Sequence, residues 1–377
     1  MCANISATYR TRLVSQERER VLGLRLVYYS MPAPLDPAVV DLVAEFAING
    51  VAHIDAAIPR GQVERMRSVW PAVREEFDRR FGPEHMSVAA DGSYSGKGPH
   101  RHQITPLPLA PPFIGDAAVP GGPLTCILEH PTCHAFLTHV LGPDYCCSGW
   151  GANVPWPGST WQRWHVDGLG AGPKRWISVH WVIDDTISTS QGPLEYLPST
   201  QHVPALFRGL GGAREQEGTP ITAAIDQLVS LPGPGVVTGD APHLGRKWAD
   251  GHLGPLRLDG ATRRGFVPVP MLMRTGQLWF RDNLVYHRGT PNTSGQPRDL
   301  FHLYVHSASE PAVGEMSRGR GSSRARHFIP KPVWLRLTAQ ARSVFRKLRV
   351  AEVAEVRAER EAAGGWPEED VLHLASL

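Results

Sequence analysis

No run of eighteen apolar residues occurs in the 377-residue chain, so the sequence offers no membrane-spanning helix. Cysteine is scarce. The five residues Cys2, Cys126, Cys133, Cys146 and Cys147 are odd in number, and two are adjacent, which is not a disulfide framework. An excess of one charge is missing as well. Lys and Arg total 39 against 36 Asp and Glu, and a net +3 gives no global electrostatic case for nucleic acid. Arg10 and Arg12 are not followed by an apolar segment with a small-residue cleavage site, and no internal repeat is present. The expectation is a globular protein of a reducing, cytoplasmic compartment, without a membrane or nucleic-acid partner. Apolar content of 42% and charged content of 20% agree with that, and the length suits one large domain with insertions or two small ones.

The organisation reads as α+β. Residues 1–35 form a variable lead-in, closed by Pro32, Pro34 and Pro37, with Asp36 placed to cap the first helix. Residues 37–48 have helical periodicity, with Val40, Leu42, Val43, Phe46 and Ala47 as the expected apolar face. Asn49-Gly50 ends that helix, Val51 to Ile54 reads as a strand, and a second helix is expected from about Arg60 to Phe81. Residues 89–122 are rich in Gly and Pro and read as loop. From Tyr145 onward short strands dominate. Arg175 to Ile183 alternates, with Ile177, Val179, Trp181 and Ile183 on one face. Gly192–Leu197, Leu278–Tyr286 and Asp299–Val305 are further strands. Residues 206–265 interrupt the strands as a lid-like insertion. Residues 332–363 read as one helix, within a C-terminal helical extension 332–377 that comes after a catalytic domain 36–331. Basic residues between Arg318 and Arg349 and acids between Glu352 and Glu361 suit a solvated face, or else a contact for an anionic group.

His165-Val166-Asp167 carries the chemistry. Residues two apart in an extended segment point the same way, so both side chains can meet one metal, and His287 can join them from another strand. Two imidazoles and a carboxylate covering one face of an ion suit non-haem Fe(II), with Mn(II) and Zn(II) as alternatives. Chance pairs of this kind are common among 17 histidines, but here Gly168 supplies a turn. Beyond His287 come Gly289, Pro291, Asn292 and Gly295, a tight turn before Arg298. That arginine, eleven positions after His287, is placed to grip a dicarboxylate, or to pair with a structural acid. His302, Tyr304 and His306 share its parity. Trp161, Trp164 and Trp176 read either as pocket wall or as core. Arg163 and Arg175 flank the motif and read as surface, with contact to an acidic substrate as the alternative. Cys126, His130, Cys133 and His134 lack a zinc spacing, and His130 to Leu141 reads as a helix.

The chain resembles the phytanoyl-CoA dioxygenase family of Fe(II)/2-oxoglutarate oxygenases. Four segments carry the likeness, in order, across roughly residues 40–306. They are Phe46–Val51, Trp164–Asp167, Gly192–His202, and Gly276–Phe280 leading to His287–Ser294 and Arg298. The resemblance implies a double-stranded β-helix (jelly roll) with flanking helices. It implies His165, Asp167 and His287 as iron ligands, O₂ as cosubstrate, and Arg298 on the distal carboxylate of 2-oxoglutarate. Gln162 stands where relatives place a polar cosubstrate contact, and Trp181, by its distance to Gly192, where they place a cosubstrate-lining aromatic. Trp164, Arg163 and Tyr304 are the candidate substrate contacts. Related halogenases lack the carboxylate that Asp167 provides, which argues against halogenation. Hydroxylation of an unactivated C–H bond of a small molecule is the expected reaction. Desaturation, cyclisation or epimerisation, action on a protein or nucleic-acid residue, and a non-redox metal-binding jelly roll stay open. The tryptophans and the insertion lean towards a bulky natural-product intermediate. Nothing in the sequence fixes the oligomeric state, a homodimer included. The chain departs from the family pattern at Ser199, Thr200 and Gly289, and in the 122 positions between His165 and His287.

Overall fold

The structure is a computed structural model that describes residues 36–81, 100–104, 123–159, 162, 166–167, 176–202, 268–309, 328–352, 354–355 and 358. The lead-in 1–35, the insertion 206–265 and Arg318 lie outside the described residues.

Helix α1 (Pro37–Asn49) starts where the sequence signals it. Asp36 accepts a 2.8 Å hydrogen bond from the amide of Ala38, and Pro37 occupies the first turn, where its missing donor costs nothing. Gly50 ends the helix at φ 71°, with its amide bonded to the Phe46 carbonyl. A side chain there would also collide with Val285 and Gln201, so glycine is required. The buried stripe is Val39, Leu42 and Phe46; Leu42 and Phe46 are on the expected face, Val43 packs against the same core, and Val39 takes the place expected for Val40. Strand β1 (Val51–Ile54) and helix α2 (Arg60–Phe81) form as expected. Strand β2 (Arg101–Ile104) corrects the reading of 89–122 as wholly loop. It pairs with the distant β3, and such non-local pairing leaves little local signal. Helices α3 (Pro123–Glu129) and α4 (Pro131–Leu141) precede β3 (Tyr145–Pro155), and His130 caps α4. The remaining strands are β4 (Trp176–Trp181), β5 (Leu194–Tyr196), β6 (Val269–Pro270), β7 (Leu278–Asp282), β8 (His287–Gly289) and β9 (Leu300–Ser307). The strand expected over Leu278–Tyr286 is thus broken at Asp282, where a turn carries the chain from one sheet to the other.

Two antiparallel sheets result, a six-stranded one in the order β1-β7-β4-β9-β3-β2 and a three-stranded one in the order β6-β5-β8. Strand alternation decides what each face of the larger sheet does. Ile177, Val179 and Trp181 of β4, Leu278 and Phe280 of β7, and Phe301, Leu303 and Val305 of β9 point one way, into a core closed by helices α1 to α4. A bulge between Cys147 and Gly149 changes the parity of β3, so that Cys147 and Trp150 both join that core. The other face meets the smaller sheet through Val51, Leu194, Tyr196, Val285 and Leu300. Between those contacts the inner face is polar, with Ser178, His180, Arg281 and His302 all buried on it.

The single helix expected over 332–363 is corrected. Its place is taken by α5 (Lys331–Arg336), α6 (Ala339–Phe345) and β11 (Arg349–Ala351), the last pairing in parallel with β10 (Phe328–Pro330). Thr338 caps α6 by accepting from the Ala341 amide, which restarts the chain in a new direction. Val333, Leu337, Val344 and Phe345 enter the main core, so this segment packs as part of the same body.

Candidate metal and cosubstrate site

The turn after β7 builds one end of the site. Asp282 accepts from the Leu284 amide through its side chain and from the Val285 amide through its carbonyl, folding the chain towards β8 and delivering His287. Asn283, fully buried, holds the segment of Asp167. Its side chain donates to the Asp167 carbonyl at 3.2 Å and accepts from the Trp176 amide at 3.0 Å, while its carbonyl receives the Asp167 amide at 3.0 Å. As a result Asp167 Oδ2 and His287 Nε2 stand 3.5 Å apart. Cis ligands of an octahedral ion lie about 3 Å apart when each bond is about 2.1 Å, so one ion fits between these two atoms. His287 Nδ1 is 3.0 Å from the Val285 carbonyl. A proton on Nδ1 donated there leaves Nε2 as the ligating nitrogen. His165, Trp164, Arg163, Trp161 and Arg175 lie outside the described residues. Among those described, no three His, Cys, Asp or Glu side chains form a metal cluster, the Cys126–His134 group included.

Arg298 has the character expected of a carboxylate clamp. Asn292, fully buried, shapes the loop before it through bonds of 2.8 Å to the carbonyls of Pro155 and Gln296. The Arg298 amide then bonds to Pro155 O at the start of β9. Its guanidinium is buried, and among the described residues its side chain makes no hydrogen bond or ion pair. Burial first, and then repulsion from Arg101, lowers its pKa to about 9. Such a cation is costly unless an anion joins it. Arg101, also buried, has its pKa lowered by burial to about 10, and donates to the Thr290 carbonyl at 2.7 Å.

Gln162 clasps β8 with two bonds to Gly289. Its amide donates to the Gly289 carbonyl at 2.9 Å, and its Oε1 accepts from the Gly289 amide at 2.8 Å. A Cβ on Gly289 would lie 2.5 Å from both Arg101 Nη1 and Gln162 Oε1, so any larger residue there requires those two side chains to move.

Trp181 does not line this site. It lies on the helix-covered face, stacked on Phe301 with ring centroids 5.5 Å apart. The expectation took the apolar face of β4 as the inward one. The inner face is the polar one, and the period of two puts His180 there instead. His180 has both ring nitrogens buried without a hydrogen-bond partner among the described residues. Burial, then the nearby Arg281 and His302 charges, hold its pKa well below the usual value, so it is neutral. It is within electrostatic reach of Asp167, Arg281 and Arg298, and so it stands among both halves of the site. Tyr304 is opposite Ser178 on the same face and packs against His302 at 4.6 Å. Burial and the Asp167 charge raise the pKa of its phenol. His306 is instead occupied structurally, near Cys146 and bonded to the Ser307 carbonyl.

The sequence reading also missed Arg281. It is buried on β7, with Nη2 2.5 Å from Asp167 Oδ2 and Nη1 3.0 Å from His287 Nδ1. Its available signal was a charge directly after the apolar run Leu278-Trp279-Phe280.

Comparison with solved structures gives the non-haem α-ketoglutarate-dependent epimerase SnoN from nogalamycin biosynthesis at 14% identity. That match covers 76% of this chain and 93% of that one, with a TM-score of 0.45. AviO1 from Streptomyces viridochromogenes Tue57 is 14% identical, covering 74% and 98%, with a TM-score of 0.43. The α-ketoglutarate-dependent carbocyclase SnoK, also from nogalamycin biosynthesis, is 15% identical, covering 78% and 95%, with a TM-score of 0.42. Among curated proteins none matches. Residues 46–300 match the phytanoyl-CoA dioxygenase family, well over half of the sequence, and the chain therefore belongs to that family and uses Fe(II) and 2-oxoglutarate.

Proposed function

We propose that this chain hydroxylates an unactivated C–H bond of a small molecule, a natural-product intermediate being the substrate class. On this reading the two antiparallel sheets are the halves of a double-stranded β-helix. The observation that carries the proposal is the meeting of Asp167 and His287, 3.5 Å apart, with a buried arginine, Arg298, whose side chain makes no ion pair or hydrogen bond among the described residues. Iron and 2-oxoglutarate, with O₂, supply the oxidising power for breaking such a bond. Asp167 and His287 hold the metal, and His165, two residues before Asp167, completes the set. Arg298 receives the far carboxylate of the cosubstrate, which matches the cation that burial leaves without a partner. His180 and Gln162 offer hydrogen bonds along the same wall. Tyr304, with Trp164 and Arg163 from the sequence, faces the substrate. The cysteines Cys126, Cys133, Cys146 and Cys147 are all free, which supports a reducing, cytoplasmic setting.

The test is succinate formation by the purified chain, dependent on Fe(II), O₂ and 2-oxoglutarate. It should disappear in His287→Ala, and undiminished turnover there removes the ligand assignment. Once a substrate is found, the product formula identifies the reaction. A gained oxygen is hydroxylation, two lost hydrogens are desaturation or cyclisation, and an unchanged formula is epimerisation. Metal binding without any 2-oxoglutarate turnover returns the chain to a non-redox role.

A further inference from the structure

We propose that Arg281 is a resident counter-cation of the metal site, sharing a ligand oxygen with the metal and weakening the site's hold on divalent ions. The inference rests on the reading of Asp167 and His287 as ligands. Its basis is which oxygen is shared. Asp167 Oδ2 is the atom 3.5 Å from His287 Nε2, and the same Oδ2 accepts the 2.5 Å bond from Arg281 Nη2. An ion that takes Oδ2 and Nε2 must therefore share Oδ2 with a full positive charge. One lone pair of that oxygen stays available, so the guanidinium does not block the ion. It draws density from the donor oxygen and repels the dication across a poorly screened interior.

Arg281 also acts on the second ligand. Its Nη1 lies 3.0 Å from His287 Nδ1, at the same distance as the Val285 carbonyl. Ligation through Nε2 needs the proton on Nδ1, where it is donated to Val285. A guanidinium N–H aimed at Nδ1 favours the other tautomer, with the proton on Nε2, which cannot ligate. Both contacts thus oppose the metal.

The guanidinium has little freedom to withdraw. It is 2% exposed, and Nη2 also lies 3.4 Å from Ser178 Oγ. Its backbone is paired on both sides, with Val51 and with Ser178. The nearby acid Asp282 is engaged in its own turn with Leu284. A cation here requires Asp167, and Asp167 is the ligand.

The experiment is a Co(II) titration of the metal-stripped full chain, monitored by ligand-field absorption. Arg281→Gln should bind Co(II) about tenfold tighter or more, because an interior unit charge has been removed from beside the ion. Arg281→Lys keeps the charge and should stay close to wild type. Arg281→Met fills similar volume without charge and carries the same expectation as Gln should that variant not fold. Neutral variants that bind Co(II) no tighter than wild type overturn the proposal. A role in packing alone predicts looser binding for Gln and Met. Asp167→Ala and His287→Ala should each lose Co(II). If they retain it, the ligand reading itself fails. If they lose it while the neutral variants gain nothing, only the role of Arg281 fails.

Discussion

Arg74 stands 2.7 Å from Asp299 and so takes the acid that would otherwise neutralise Arg298, its neighbour in sequence. Asp299 is buried, and the ion pair that it forms with α2 is largely shielded from water. The result is a buried guanidinium near Arg101 that feels the Asp299 charge but makes no ion pair or side-chain hydrogen bond among the described residues.

Removal of that arginine should therefore act on cosubstrate binding more than on folding. Charge-assisted hydrogen bonds contribute about 1.5–3 kcal/mol, so Arg298→Gln should raise the Kd for 2-oxoglutarate roughly 10- to 100-fold. Calorimetric titration of the Mn(II)-loaded protein measures it, and an unchanged Kd returns Arg298 to a structural role. Arg298→Lys should fall between, since a point charge lacks the two-pronged grip.

The same group makes cosubstrate binding depend on pH. Burial, and then repulsion from Arg101, lowers the pKa of Arg298 to about 9, so the free protein keeps it charged at pH 7 and loses that charge as pH rises through about 9. Binding a carboxylate needs the charged form. Affinity for 2-oxoglutarate should thus be level from pH 7 to 8 and weaken as pH rises through about 9. The Arg298→Gln variant should not share that decline. Parallel pH profiles for the two proteins contradict the assignment.

Trp181 and His180 are neighbours with opposite expected phenotypes. Trp181 is packed in the helix-covered core, where removal of a large aromatic costs about 3–5 kcal/mol, so Trp181→Ala should be strongly destabilised. Trp181→Phe should retain most stability and leave the KM for 2-oxoglutarate unchanged. His180→Phe should fold and raise that KM, because the ring nitrogens on the inner wall are lost. A reversed pattern would put Trp181 back in the pocket.

What could be read from sequence was local. Asp36, Pro37 and Gly50 bound α1 because capping and left-handed geometry depend on a few adjacent residues. Asp167, His287 and Arg298 stood out in the sequence because glycine- and proline-rich turns stand beside them, and the structure brings the first two within 3.5 Å. The misses needed partners far along the chain. Strand β2, which places Arg101, exists by pairing with β3, and β11 by pairing with β10. Trp181 was assigned to the wrong side because alternation gives two faces without saying which one is inside. In this fold the apolar face is covered by helices, and the interior between the sheets is partly polar. Arg281 and Asn283 fell inside the single strand expected over Leu278–Tyr286, and only the turn after Asp282 shows how they meet Asp167.

Asp299 sets the last expectation, on stability. Burial raises its pKa from 3.8 to about 6, with Arg74 acting in the opposite direction. A carboxyl whose folded pKa exceeds its unfolded one stabilises the fold when protonated. That contribution is complete below about pH 4 and is lost as pH rises through about 6. A gap of about two between the folded and unfolded pKa corresponds to about 3 kcal/mol at most. Asp299→Asn resembles the protonated form and cannot titrate. Between pH 4 and pH 7 the wild type should therefore lose stability relative to Asp299→Asn, by up to that amount. Urea unfolding of both proteins across this window gives the difference directly. If the gap stays constant, or if the wild type gains on the variant as pH rises, the Arg74 ion pair outweighs burial and the carboxylate is the stabilising form.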